Sequence, residues 1–397
     1  GYLVFSGFIK DQYATNSPLF LDYYYFTIPL AFFILFSTVL ESYLQALYKT
    51  VLTNFLKNVL VRLLWLGEIL MYWAGWVDLR IFLILFVSTY AANLSISVGY
   101  LASIGQFNLK PDANYFKKRV LRRFRDYSGF SILTGVSNTI VGHIDKAMVG
   151  YFLGLGPVAI FSMASYLSTI VYVPAQAIGR ITLPVISRAW KDKDMAAIKA
   201  MYQKTSLIQL VLGAYILIGV WVNVDSLFTF LPEEYALGKY VILYVGLAKL
   251  LDMTAGANGQ IITISKFYPF DTLASALLIV ITISFNLLFI PWLGMDGAAI
   301  ASLMTLLLYN GAKMAFLWKK LGFQPFTWRT LLAIGVGAVT LWTALLIPTI
   351  DNVLLDIAVR STAVTVIYFV LVYLLKVSPD ITSTARMIAG KVGIRLP

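Results

Sequence analysis

The 397 residues contain no cysteine and one histidine, His143. Without cysteine there is no disulfide framework, no thiol nucleophile and no thiolate metal site. With one histidine there is no multi-histidine metal site, and any protonation switch near neutral pH would rest on that residue. Charge is scarce as well. Asp, Glu, Lys and Arg make up 13% of the chain, where a soluble domain carries roughly a quarter. Hydrophobic residues make up 59%, and mean hydropathy is +0.80. Such a chain reads as an all-α polytopic membrane protein, since helices satisfy their own backbone groups in lipid.

Eleven apolar stretches are long enough to cross a bilayer, which takes about 20 residues. They run at about Tyr23–Leu47, Leu56–Trp76, Ile81–Ile104, Tyr127–Leu153, Val158–Ile178, Ser206–Val224, Leu237–Ile264, Leu273–Trp292, Gly297–Trp318, Leu331–Ile347 and Leu355–Leu375. Gly1–Phe8 is apolar but too short to span. It reads as the end of a helix whose start is not included, so the chain is expected to be truncated at its N-terminus. Arg180–Lys204 is polar, with Pro184, Trp190, Met195, Ile198 and Met201 at roughly helical spacing. That pattern predicts an amphipathic helix lying on the membrane surface. Pro174 and Pro269 mark expected kinks. Gly256 and Gly259 should loosen the seventh span.

The net charge of +12 does not point to nucleic acid. Basic residues gather in alternate segments, above all Lys117, Lys118, Arg119, Arg122, Arg123 and Arg125, and again from Arg180 to Lys204 and from Lys313 to Arg329. The intervening loops are short and carry Asp78, Asp225, Glu233, Glu234, Asp296 and Asp351. This alternation places the basic segments in the cytoplasm. The Lys117–Arg125 run also suits anionic lipids, and as a basic mouth it could attract a diphosphate-bearing lipid.

Ionisable residues inside apolar spans are costly and are therefore functional candidates. Asp145 heads them, on one helical face with Asn138, Gly142 and Val149. It can serve a cavity, pairing with a cation, a lysine or substrate hydroxyls, or it can be a fixed helix–helix hydrogen bond. Lys146 and His143 point elsewhere around the same turn, and His143 suits an interhelical hydrogen bond. Lys249 and Asp252 stand at i, i+3, with Gly256 and Gln260 continuing the stripe. They form either an internal ion pair or a cavity lysine for diphosphate, tuned by Asp252. Glu41, Arg62, Glu68 and Asn93 give the first three spans polar faces that should line a water-filled cleft. A Glu41–Arg62 pair is one option there. Arg180, at the inner end of the fifth span, either takes a diphosphate bidentately or snorkels to headgroups.

Three stretches together resemble the polysaccharide (O-antigen-type) flippases of the multidrug/oligosaccharidyl-lipid/polysaccharide exporter superfamily. The first runs from Asn138 through Asp145, Lys146 and Gly150–Gly154 into Gly156, Ala159, Phe161, Ser162 and Ala164, with Phe161 where the family has Tyr. The second is Pro184–Arg188 and the charged stretch after it. The third is Pro291, Gly294, Gly297 and Ala298–Ala301. The resemblance implies a two-lobed bundle like that of the multidrug exporters. Residues 1–115 would be the remainder of the N-terminal lobe (the end of helix three and helices four to six) with a basic loop. Residues 116–321 would be the C-terminal lobe (helices seven to twelve), and 322–397 two further helices and a basic tail.

It also implies alternating access by rocking lobes, moving an undecaprenyl-diphosphate-linked saccharide across a bacterial inner membrane, for lipopolysaccharide or another surface polysaccharide. The partners implied are that lipid, anionic lipids and other polysaccharide-assembly proteins. No cofactor is expected beyond a coupling sodium ion or proton. Two other functions stay open. A cation-coupled multidrug exporter would use an acidic pocket, which Asp145, Asp252 and Glu41 could supply. A membrane-embedded polymerase or glycosyltransferase would need a long outer loop or a nucleotide-sugar motif, and neither is present.

Overall fold

The computed structural model describes residues 18–47, 49–107, 121 and 142–383. Asn138 and the basic residues Lys117, Lys118, Arg119, Arg122 and Arg123 lie outside them. The chain divides into two compact units, Gly1–Tyr127 and Ser128–Pro397.

In the first unit, α1 (Pro18–Tyr23) leads through a 3-10 turn (Tyr24–Phe26) into α2 (Thr27–Ala46). Next come α3 (Thr50–Phe55), a π-turn (Leu56–Leu60) and α4 (Val61–Trp73), together the second apolar stretch. The Asp78 carboxylate caps α5 (Leu79–Ser103), accepting from the Ile81 amide at 2.8 Å. Polar side chains are paired off here. Glu68 accepts from the Thr89 hydroxyl at 2.5 Å, and Ser97 donates to the Asn93 carbonyl at 2.9 Å. Glu41 pairs with Lys57 at 3.5 Å, in place of the Arg62 partner expected from the sequence. Lys57 sits one turn closer to α2, on the π-turn, and Arg62 is exposed.

The second unit opens with α6 (residues 142–153), and Gly154 separates it from α7 (Leu155–Thr169). A 3-10 turn (Ile170–Tyr172) leads to α8 (Val173–Lys191), which has Pro174 in its first turn, where proline is tolerated without breaking the helix. The stretch Arg180–Lys204 is not a separate surface helix. Helix α8 runs through Lys191, and α9 (Met195–Val222) begins after a tight turn in which Lys193 takes φ 57°. Asp194 caps α9 by accepting from the Ala197 amide at 2.9 Å. Part of the stretch's apolar surface faces protein, with Ile186, Ile198 and Tyr202 buried with Ile261, Ile262, Leu317 and Phe323, while Pro184 and Met195 are exposed.

After α10 (Val224–Phe228), α11 (Lys239–Thr254) and α12 (Asn258–Ile264) form one span bent by 48°. The break falls at Gly256, where φ is +61° and a Cβ would press on the Ser206 backbone at 3.0 Å. Ser206 donates to the Thr254 carbonyl at 2.6 Å, supplying a partner at the end of α11.

Helix α13 (Tyr268–Leu321) is 54 residues long and folds back on itself at Gly294, with φ 60° and ψ −135°. It therefore carries the two expected spans either side of Gly294. Contacts across the two arms include Ser275–Tyr309 at 3.3 Å, Asp271–Lys313 at 2.7 Å and a Phe270–Phe316 stack at 3.9 Å. The helices α14 (Trp328–Leu345) and α15 (Val353–Leu374) pack on α9 through Val211, Ala214, Ile218, Ala333, Val336 and Val364. Among the described residues seven helices are long and apolar enough to cross a membrane, or eight with the bent α11–α12 pair. The expected count of eleven differs in part because α13 holds two spans and α3–α4 is interrupted by its π-turn.

Candidate functional site

Five elements of the second unit surround a cavity of about 560 Å³. Its charged lining is Asp145 and Lys146 from α6, and Lys249 and Asp252 from α11. Tyr172 from the 3-10 turn and Thr282, Ser302 and Thr305 from the two arms of α13 complete the polar wall. Gly142 lines it too, while Val149 of the predicted face is buried in the core, and Lys146, expected to point elsewhere around the turn, shares the cavity with Asp145. Two carboxylates and two ammonium groups thus share one apolar-walled space, where an unpaired charge would be costly.

Asp145 is held from both arms of α13. Asn286 Nδ2 donates to one carboxylate oxygen at 2.7 Å, and the Ser302 hydroxyl donates to the other. Asn286 precedes Gly294 by eight residues and Ser302 follows it by eight. At 1.5 Å per residue both lie roughly 12 Å from the turn, so the fold-back brings them to one level. The Asn286 Oδ1 is buried with no hydrogen-bond partner among the described residues.

Lys249 and Asp252 do not pair with each other, which removes the internal ion pair as a reading. Lys249 Nζ stands 5.6 Å over the Tyr172 ring. Asp252 accepts from Asn310 Nδ2 at 2.8 Å and from the Tyr172 hydroxyl. Asn310 in turn accepts from Asn258 Nδ2 at 3.1 Å. Charge-assisted bonds of this kind fix a carboxylate more firmly than neutral ones.

A second cavity of about 230 Å³ lies beyond Tyr172 and Asp252, which line both spaces. Gln260 lines this one. The break at Gly256 turns it out of the Lys249–Asp252 stripe, and it donates to the Gly179 carbonyl at 3.1 Å. Lys313, expected as a loop cation, is instead buried in α13 and paired with Asp271.

Glu41, Glu68 and Asn93 are buried in the first unit, and Arg62 is exposed there. His143 and Arg180 are exposed and line neither cavity. Sequence reasoning missed Asn286, Ser302, Asn310, Asn258 and Tyr172. The amides in long apolar stretches were a usable signal, and so was the equal spacing of Asn286 and Ser302 about Gly294.

The fold is similar to that of a solved lipid flippase, and part of the sequence matches a polysaccharide-biosynthesis family model. A family model described as polysaccharide biosynthesis protein matches residues 85–229. The solved structure of the lipid II flippase MurJ, in an inward closed conformation, aligns with a TM-score of 0.74 at 13% identity, covering 94% of this chain and 79% of that one. The uncharacterized membrane protein MJ1068 of Methanocaldococcus jannaschii is 25% identical over 270 residues, 66% of this chain and 52% of that protein. The probable low-salt glycan biosynthesis flippase Agl15 of Haloferax volcanii is 20% identical over 185 residues, 46% of this chain and 39% of that protein. The matched regions span about half or less of the length of these two relatives.

Proposed function

We propose that the protein flips a lipid-linked saccharide across the cytoplasmic membrane (the inner membrane, in a bacterium) by alternating access. The observation that carries this reading is the cavity of about 560 Å³ walled by Asp145, Lys146, Lys249 and Asp252. It sits in a fold shared with a lipid II flippase, and the chain has a glycan flippase among its relatives. A polyprenyl diphosphate presents two or three negative charges at the membrane–water boundary, and Lys146 and Lys249 are the cavity groups that would meet them. The saccharide hydroxyls would bond the Asp252, Thr282, Ser302 and Thr305 oxygens.

Asp145 is the carboxylate for coupling. With the free Asn286 Oδ1 beside it, it offers hard oxygen ligands suited to a sodium ion, or a base suited to a proton. Anionic lipids and other polysaccharide-assembly proteins are the further partners in this reading. The test is deletion of the gene followed by mass analysis of lipid-linked sugars. Accumulation of a lipid-linked oligosaccharide on the cytoplasmic leaflet is the expected result, and an unchanged pool with altered drug sensitivity would favour multidrug export instead.

A further inference from the structure

The second cavity has no part in holding a saccharide. At about 230 Å³ it is too small for a lipid-linked glycan, yet most of its wall is polar, with Ala175, Met253 and Ala257 the apolar exceptions. Thr182, Thr205, Gln209, Asn258, Gln260 and Asn310 contribute amides and hydroxyls. The Gln260 Oε1 is buried without a hydrogen-bond partner among the described residues. Buried polar groups of this kind are satisfied by water or an ion.

The cavity is closed by one charged contact at each end. Towards the first cavity stands Asp252, held by Tyr172 and Asn310. Towards the basic end of the bundle stands Lys313, whose side chain is 6% exposed, paired with the 22% exposed side chain of Asp271 at 2.7 Å. Asp271 lies in the first turn of α13, next to Lys266 and close to Lys319 and Lys320 at the helix's other end. By the positive-inside rule this is the cytoplasmic end. Thr263 donates to the free side of Asp271 at 3.0 Å, and the Phe270–Phe316 stack braces the two arms beside the pair. The break at Gly256 lines the cavity as well, so its width is tied to the bend between α11 and α12.

We infer that the Ser128–Pro397 unit carries its own hydrated branch for water and small monovalent cations. It runs from the cytoplasmic end of α13, past Lys313–Asp271, through the second cavity and past Tyr172–Asp252 to Asp145. The lining charges select the species. Asp252 and Asp271 stand at either end of the second cavity and repel anions, while Lys313, the cation in its lining, is paired with Asp271; beyond it Lys249 and Lys146 line the first cavity with Asp252 and Asp145. This inference rests on the coupling reading of Asp145, but its test does not depend on transport.

The 397 residues have no cysteine, so single cysteines report accessibility once any cysteine elsewhere in the full-length protein is replaced by serine. In inverted vesicles holding the full-length protein, Thr182→Cys and Gln209→Cys should react from the cytoplasmic side with an ethylammonium thiosulfonate. They should react far more slowly with the sulfonate-bearing reagent of the same size. Lys313→Met should raise the cationic rate severalfold by removing the plug. If that variant is poorly inserted, Asp271→Asn gives the opposite test: it leaves Lys313 unneutralised and should lower the cationic rate severalfold. Equal rates for the two reagents, or no reaction at either position while Ser165→Cys in the first cavity reacts normally, would overturn the branch. Loss of flipping with labelling intact would count against the transport reading alone.

Discussion

In the Gly1–Tyr127 unit, the described polar contacts inside the helices are isolated pairs: Glu41 with Lys57, and one oxygen of Glu68 with Thr89, while Glu68 Oε2 and Asn93 Oδ1 are buried without a hydrogen-bond partner among the described residues. In the Ser128–Pro397 unit they are pooled. Asp145 takes two donors, Asp252 takes two, and both face open volume with Lys146 and Lys249. An isolated pair stabilises a helix contact and offers nothing to a visitor. A pool around a cavity leaves capacity to spare, as the free Asn286 Oδ1 and Gln260 Oε1 show. Buried polarity thus lies in separate contacts in one unit and gathers around a cavity in the other.

The largest effect that would sharpen this contrast is on Asp145. Asp145→Asn in the full-length protein should abolish surface polysaccharide while membrane abundance on immunoblots stays normal. Glu68→Leu in the first unit should do the reverse, lowering abundance with specific activity preserved. Next is Lys249→Met. Losing a charge-assisted contact to a diphosphate costs about 1.5–3 kcal/mol, so the flipping assay should need roughly ten- to a hundredfold more lipid for half-maximal rate. Lys249→Arg should recover part of this.

A third effect bears on the scaffold that pools the groups. Gly294→Ala places a side chain at a positive φ that costs about 1–3 kcal/mol and should lower the melting temperature in detergent. It should also weaken Asp145 function, since both its donors depend on that turn. The smallest effect is expected at Lys57→Ala. Its side chain is 68% exposed, and exposed pairs contribute about 0–1 kcal/mol, so melting should shift little. A large loss there would break the comparison by making the first unit's pairing a functional one.

Charge and glycine were legible in the sequence, and neutral polarity was not. Asp145, Lys249 and Asp252 stood out because a charge in an apolar stretch is rare, and all three reach one cavity. Gly256 marked the break in the seventh span because no side chain fits there. Asn286, Ser302 and Asn310 were passed over because they carry no charge, so a search for costly ionisable side chains did not single them out. Lys313 was read as a loop cation because it stands near Lys319 and Lys320, while Asp271, its partner, lies on the far arm of α13. Arg180–Lys204 kept a helical period across a break made by Asp192–Asp194, and the cap at Asp194 was the signal that told otherwise.

The fold-back at Gly294 has a mechanical meaning. Each arm of α13 is a rod of about 40 Å, and one carboxylate is gripped from both rods at the same height. Asp145 therefore works like the screw of a caliper. Whatever displaces Asn286 or Ser302 from its oxygens changes the gap between the jaws, and the far tips, where Asp271 meets Lys313, move by the longest throw.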